Sequence, residues 1–344
     1  MKKFIIFRTD RLGDFLIISS ILKAIKKRYP ESHITVVGSE LNYKIIKSYK
    51  IIDRVLIYNK YYSITKKIKI FKDINKTKYY CSLSLDGKSF SNIVNFFLKA
   101  EIKLGVSYKF NLLSPFLKWS KPNFLYNYLI FDKFEFFSSK KSLYKIEHLP
   151  SILIKLSNNL QLKLKKKDPY FFEVKKSNNL IAKNIFKKKI MGKFILIHLD
   201  EKWNDIKLIE KDFFSELLIF QKKMRRKIVI SSNKNNFIYY KLLKKNLKNN
   251  KDFIFLENLN LNIFERIISF SSLSISCHSG FLVQIAGFNK TSLIDIINKK
   301  DFMWYSCWKP LNTNHKFIFK SNLNNKISLN NIFNKIVTYH KNNL

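Results

Sequence analysis

Residues 4–25 read FIIFRTDRLGDFLIISSILKAI, and the reading of this stretch decides the fold. An apolar run, Phe4–Phe7, stops at a polar patch, Arg8-Thr9-Asp10-Arg11. Leu12, Gly13 and Asp14 follow, and the chain turns apolar again. The run is the length of a buried strand. Phe15, Ile18, Leu22 and Ile25 recur at helical spacing up to Arg28, and Pro30 closes the helix. His33–Val37, HITVV, ends at Gly38 and reads as the next strand. The three segments predict a βαβ unit, hence a parallel sheet.

The alternation continues outward from there. Arg54–Tyr58, Cys81–Leu85 and Ile102–Gly105 read as strands, with helices over 62–76, Ser89–Lys99 and Glu147–Leu160. Lys163–Lys167, charge-dense and followed by Asp168-Pro169, reads as a linker. A second series follows. Lys193–Leu199, Lys227–Ser232, Phe253–Leu256, Leu273–Ser276 and Ser292–Ile296 read as strands. Helices are expected over Lys211–Arg225, 236–247, Ile263–Phe270 and Gly280–Gly287, and a basic amphipathic tail helix over 328–343. The expected domains are 1–165 and 166–325, with 326–344 as a C-terminal helix. Two α/β sandwiches place ligands at the C-terminal ends of the strands, facing a cleft.

Composition narrows the class. The 344 residues are 46% hydrophobic, enough for a sizeable core. No apolar run reaches the ~18 residues of a membrane span, and the run before Arg8 is too short for a signal peptide. Cys81, Cys277 and Cys307 are scattered and odd in number, which fits neither a disulfide framework nor a metal site and points to a reducing, cytoplasmic setting. With 65 Lys+Arg against 24 Asp+Glu the formal charge is +41. That balance invites a nucleic-acid reading. The lysines are scattered, however, and abundant Lys, Asn, Ile and Phe beside scarce Gly fit an A+T-rich coding bias. Such a surface still attracts anionic membranes and phosphorylated ligands.

The chemistry-bearing candidates sit at strand-to-helix turns. The first turn holds one glycine, Gly13, not the three of a dinucleotide fingerprint. Asp14 stands where free backbone N–H groups and the helix dipole stabilise a carboxylate, so it can cap the helix or serve as a base; Asp10 is the rival base on the same loop. In the second half, Ser276-Cys277-His278-Ser279-Gly280 joins a strand to an apolar helix, an anion site suited to a diphosphate. His278 could add a charge, or be structural, capping the helix that starts at Gly280. Lys202 and Trp203 follow the strand ending at Leu199; the lysine could hold phosphate and the tryptophan could stack on a base.

Five ordered stretches resemble glycosyltransferase family 9, the lipopolysaccharide heptosyltransferases and their relatives. They are FRTDRLGDFLIISSILKAIKKRYPESHITVV (7–37), LSLDGKSFSNIV (83–94), EHLPSILIKL (147–156), HLDEKWND (198–205) and SISCHSGFLVQIAGFNKTSLIDI (274–296). The resemblance implies a GT-B fold, two Rossmann-like domains with parallel sheets facing a cleft. It implies an inverting sugar transfer from a nucleotide-diphosphate donor to a cell-envelope glycolipid or polysaccharide, with no metal and no cofactor. It matches Asp14 to the family's catalytic base and Lys202 to its donor-phosphate lysine. It matches Ser279 and Gly280 to its donor turn, with His278 in place of an Asp and Val283 in place of a His. Arg8, Arg11, Gly13, Gly87 and Lys88 are the candidates on the acceptor side. The expected protein is a monomer, peripheral to the cytoplasmic face of an inner membrane, with no specific nucleic-acid partner. The rival classes are an inactive GT-B binding or scaffold protein and a basic nucleic-acid binder.

Overall fold

The computed structural model describes every residue except 109–127, 133–148, 166–175, 191, 207–209, 234–236, 311–313, 323–324 and 342–344. The chain divides into two compact units, Met1–Glu173 and Val174–Leu344.

In the first unit, β1 (Lys3–Phe7), β2 (His33–Gly38), β3 (Arg54–Ile57), β4 (Tyr79–Ser84), β5 (Ala100–Tyr108) and β6 (Tyr128–Asp132) form one sheet in the order β3-β2-β1-β4-β5-β6. Every pairing is parallel. β1 lies in the middle of the sheet and is covered on both faces, which is why Phe4–Phe7 is an unbroken apolar run, wholly buried. Strand β6 escaped the sequence reading, because YLIFD stands far from any recognisable helix partner.

Helix α1 runs Leu12–Arg28, starting three residues before the expected Phe15. Asp14 occupies its third position and accepts the Arg11 backbone N–H at 3.1 Å, so a capping box extends the helix back into the loop. Phe15, Ile18, Ile21, Leu22 and Ile25 bury its core face, each contributing about 1.5–3 kcal/mol. Lys26, Lys27 and Arg28 fill the last turn, where the dipole favours cations. A short α2 (Tyr43–Ile46), then α3 (Ile64–Asn75) and α4 (Ser89–Phe97), follow. Ile70, Phe71 and Ile74 of α3 and Phe90, Val94 and Leu98 around α4 share one core cluster with Ile5, Phe7 and Val37 of the sheet. Helix α5 (Leu149–Ser157) is described from Leu149; the expected start at Glu147, and most of the proposed linker, lie outside the described residues.

The second unit opens with α6 (Lys176–Ile185) and repeats the plan. β7 (Phe194–Leu199), β8 (Lys227–Ser232), β9 (Phe253–Glu257), β10 (Leu273–Ser276), β11 (Ser292–Asn298), β12 (His315–Asn322) and β13 (Asn325–Lys326) order as β13-β12-β11-β10-β7-β8-β9. All pairs are parallel except β12 with β13. Counted from β7, six strands repeat the first sheet's order, the doubly wound arrangement in which the connections reverse direction beside the first strand. Helices α7 (Glu210–Met224), α8 (Ile238–Leu247), α9 (Leu261–Phe270) and α10 (Gly280–Phe288) lie between the strands in sequence. Helix α6, helix α11 (Phe302–Cys307) and strands β12 and β13 were absent from the sequence reading. The last helix, α12 (Leu329–Lys341), sends Ile332, Phe333 and Ile336 into the second unit's core, with Phe333 stacked on Phe220 at 4.5 Å.

Candidate functional site

Each sheet has one switch point, between β1 and β4 in the first and between β7 and β10 in the second. Phe7 pairs with Ser84, and His198 with Ser276, so the loops leaving those strand pairs emerge side by side. Every candidate named from the sequence lies on one of these four loops or on the helix that follows it.

At the first switch point Arg8 is fully buried. Its guanidinium donates to the Leu85 carbonyl and, at 3.0 Å, to the Asp14 carbonyl. It also pairs with Asp10 at 3.1 Å and with the Asp14 carboxylate at 3.7 Å. Arg8 therefore organises the loop from inside and does not reach outward. Asp86, from the loop after β4, is equally internal: it accepts from the Thr9 N–H (3.1 Å), the Thr9 hydroxyl (2.7 Å), the Ser91 hydroxyl (2.7 Å) and the Lys88 N–H (3.1 Å). The Lys88 ammonium donates to the Thr9 carbonyl at 2.7 Å. Gly87 between them has φ +64°, the left-handed region that a side chain resists. Gly13 is buried and Arg11 exposed.

Two carboxylates remain able to meet a ligand. The Asp14 side chain is 28% exposed and already caps α1, so the capping reading holds whether or not it also acts as a base. The Asp10 side chain is 19% exposed. Burial pushes its carboxyl up to about 7; Arg8 pulls it down, and Asp14 and Asp86 push it up again. Sequence reasoning saw the residue but not this burial.

The second switch point is built differently. Ser279 is the N-cap residue of α10, and its N–H donates to the Ser276 hydroxyl at 3.2 Å. The N–H groups of the helix's first turn have no partner within the helix, and the dipole is positive there. The Lys202 ammonium donates to the His278 carbonyl at 2.6 Å, which fixes a cation at this helix end. Lys320, nearly buried, supports the Lys202 loop by donating to the Lys202 carbonyl (2.6 Å) and to Asp205 (2.9 Å). Asp200 caps the short turn that carries Lys202, accepting the Lys202 N–H at 3.1 Å. His198 below it is buried, and burial first, then Lys202, lower it to about 4, so it is neutral.

His278 has φ +55°, a conformation costing a non-glycine residue about 1–2 kcal/mol. Side-chain contacts fix it there. Nδ1 donates to Asp295 at 2.6 Å, and the ring stacks on Tyr305 at 3.5 Å. His315 lies 3.7 Å from the same Asp295 oxygen. Burial alone would raise the Asp295 carboxyl, but the charge and hydrogen bond of His278, with His315, outweigh it and hold Asp295 well below the usual carboxylate range. Asp295, Tyr305 and His315 were not foreseen. A lone acid inside the apolar run LIDII (293–297) was the available signal, because buried carboxylates require partners.

Two readings are corrected. Trp203 is fully buried, stacks on Phe213 at 5.9 Å and donates to the His198 carbonyl, so it belongs to the core and is not available to a base. His278 does not cap α10; Ser279 holds that position. Val283 is buried within α10. Among the described residues no group of three His, Cys, Asp or Glu side chains is placed to hold a metal ion.

A scan against protein families finds no match, and no curated protein matches the sequence. Solved structures do match. The structure is similar to the glycosyl transferase family 9 protein of Veillonella parvula, with TM-score 0.70 and 15% identity over 99% of this chain and 96% of that one. It is similar to E. coli heptosyltransferase WaaC with ADP, at TM-score 0.65 and 13% identity over 99% and 100%. UDP-GlcNAc 2-epimerase from Neisseria meningitidis, bound to UDP-GlcNAc, gives TM-score 0.56 and 13% identity over 99% and 93%. The chain therefore has the GT-B fold, two Rossmann-like parallel-sheet domains, and its structural neighbours include the family that its sequence resembles.

Proposed function

We propose that the protein is an inverting glycosyltransferase that moves a sugar from a nucleotide-diphosphate donor to a glycolipid or polysaccharide of the cell envelope. The observation that carries this reading is the second switch point. There a lysine, a strained histidine backed by a buried carboxylate, and a helix N-terminus converge on one turn. As the donor's glycosidic bond breaks, negative charge builds on the leaving diphosphate. Lys202, the first N–H groups of α10 and the His278 nitrogen not held by Asp295, Nε2, are suited to receive it. Inverting attack also needs a base for the acceptor hydroxyl proton, and Asp14 takes that role. Asp10 is the alternative, favoured by a carboxyl raised to about 7, near the value that serves general-base work at neutral pH.

The acceptor class, a monomeric state and action at a cytoplasmic membrane face belong to the same proposal. His278 and Val283 depart from the family's donor motif, so the donor sugar need not be a heptose. An inactive binding protein of the same fold is the second reading, and it too would bind a nucleotide. A thermal-shift screen over ADP-, GDP-, UDP- and dTDP-linked sugars, with a CMP-linked sugar as the monophosphate control, tests the proposal. One diphosphate sugar is expected to raise the melting temperature, and incubation with an acceptor extract should then release the free nucleotide. A shift without release supports the inactive reading; no shift with any diphosphate sugar overturns both.

A further inference from the structure

The outer surface of α3 and α4 combines two features that a folded protein seldom places together. On α4 the residues turned away from the core are Ile93, Phe96 and Phe97, an exposed face with no polar side chain. On α3, Ile64 and Ile68 are one helical turn apart and exposed. Ile64 is 75% exposed and Phe97 58%, well beyond the edge of a core. Phe71 and Phe97 meet edge to face at 6.3 Å, which joins the two helices into one apolar strip. Exposed contiguous apolar surface of this kind marks an interaction site.

The charges around the strip identify the partner. Helix α3 carries Lys66, Lys67, Lys69 and Lys72, and Lys76 follows it. Its one acid, Asp73, is paired with Arg54 at 2.5 Å. No carboxylate of α3 is left to offset those lysines. At helical spacing Lys72 and Lys69 lie just beyond the Ile64–Ile68 edge, so the apolar strip is bordered by ammonium groups. Apolar residues that insert and lysines that border them are the pattern of an interfacial helix on an anionic bilayer. A second copy of the chain would bring the same lysines against each other. The tail helix, another basic amphipathic element, commits Ile332, Phe333 and Ile336 to the second unit's core.

We infer that the outer face of α3 and α4, centred on Ile64, Ile68 and Phe97, docks the protein on an anionic lipid surface. Lysines of α3 bring it to the headgroups and the apolar strip enters the acyl boundary. The surface rests on exposure and charge alone, so docking and sugar transfer can fail independently.

Co-sedimentation of the full chain with vesicles tests it. Vesicles with about one third phosphatidylglycerol in phosphatidylcholine should bind the protein, and pure phosphatidylcholine should not. Binding should weaken as salt shortens the Debye length below ~10 Å. The double variant Ile64→Ser, Phe97→Ser should partition at least about tenfold more weakly at every salt concentration. Lys66→Glu with Lys69→Glu and Lys72→Glu should lose binding chiefly at low salt. Lys335→Glu on the tail helix should bind within about twofold of the parent. All are surface changes, so an unchanged melting temperature confirms folding. Parent-like binding by the double variant, equal binding to both vesicle types, or no binding to either overturns the inference. So does a dimer in solution that the double variant dissociates while its vesicle binding stays unchanged.

Discussion

The two sheets share a strand order, yet their switch points hold opposite chemistries. The first gathers three carboxylates, Asp10, Asp14 and Asp86, around a buried arginine. The second gathers Lys202, His278 and a helix N-terminus, with Asp295, Asp205 and Asp200 tied to His278, Lys320 and the Lys202 N–H. Topology supplies only the position, at the C-terminal ends of the central strands. The loop residues decide whether that position carries carboxylates or cationic and N–H donors. Arg8 and Asp86 also show how a site can be mostly scaffold. Both are buried and multiply bonded, and they leave Asp10 and Asp14 as the carboxylates with partial exposure.

The contrast is sharpest at Asp14. Asp14→Asn keeps the shape and much of the cap, so stability should fall by no more than about 1 kcal/mol. Transfer should fall by roughly 10²–10⁴, with donor binding nearly unchanged. Measured turnover near the parent value, paired with loss in Asp10→Asn, would move the base by four residues and leave the comparison standing. Parent-like turnover in both would remove the acid–base half of it.

Asp295 tests the other unit. Asp295→Asn leaves His278 and His315 without the carboxylate they share, and breaking a buried pair costs ~3–5 kcal/mol. Denaturant unfolding at pH 7 reads this directly. Because the native carboxyl is held far below its unfolded value, the stabilisation is complete above about pH 4 and is lost as pH falls below it. The gap between parent and variant should therefore shrink toward pH 2. A constant gap would mean that packing alone, not the charge pair, holds His278.

Asp10 gives an effect of the opposite sign. Its carboxyl is raised from 3.8 to about 7 in the folded state. Between those values the folded protein binds more protons than the unfolded chain, so this residue lowers stability as pH rises through the window. Asp10→Asn removes that dependence. The variant's melting temperature relative to the parent should improve between pH 4 and pH 7. An unchanged difference across that range would place Asp10 in a more polar setting than the one described here.

Much of this was legible in the sequence because central parallel strands are apolar throughout. Phe4–Phe7 and Phe194–Leu199 declare themselves, and the polar loop after each points at the switch point. Asp14, Lys202 and the turn at His278–Gly280 were readable for the same reason, as breaks between buried elements. What the sequence could not show was tertiary. Arg8 looks like a surface loop residue until Leu85 and Asp14, 77 and 6 positions away, enclose it. Trp203 looks like a stacking platform until Phe213 covers it. His315 meets Asp295 only through the β11–β12 pairing, which no local pattern announces.

The central claim is that the second switch point binds a nucleotide diphosphate through a lysine fixed at a helix end. Calorimetric titration of the nucleoside diphosphate identified by the screen, against the parent chain and Lys202→Met, tests it most directly. The methionine variant retains the side chain's bulk and loses the ammonium. One saturable site in the parent is expected, weakened at least about tenfold in the variant, with the loss smaller at high salt. Equal affinity in the two proteins would contradict the claim.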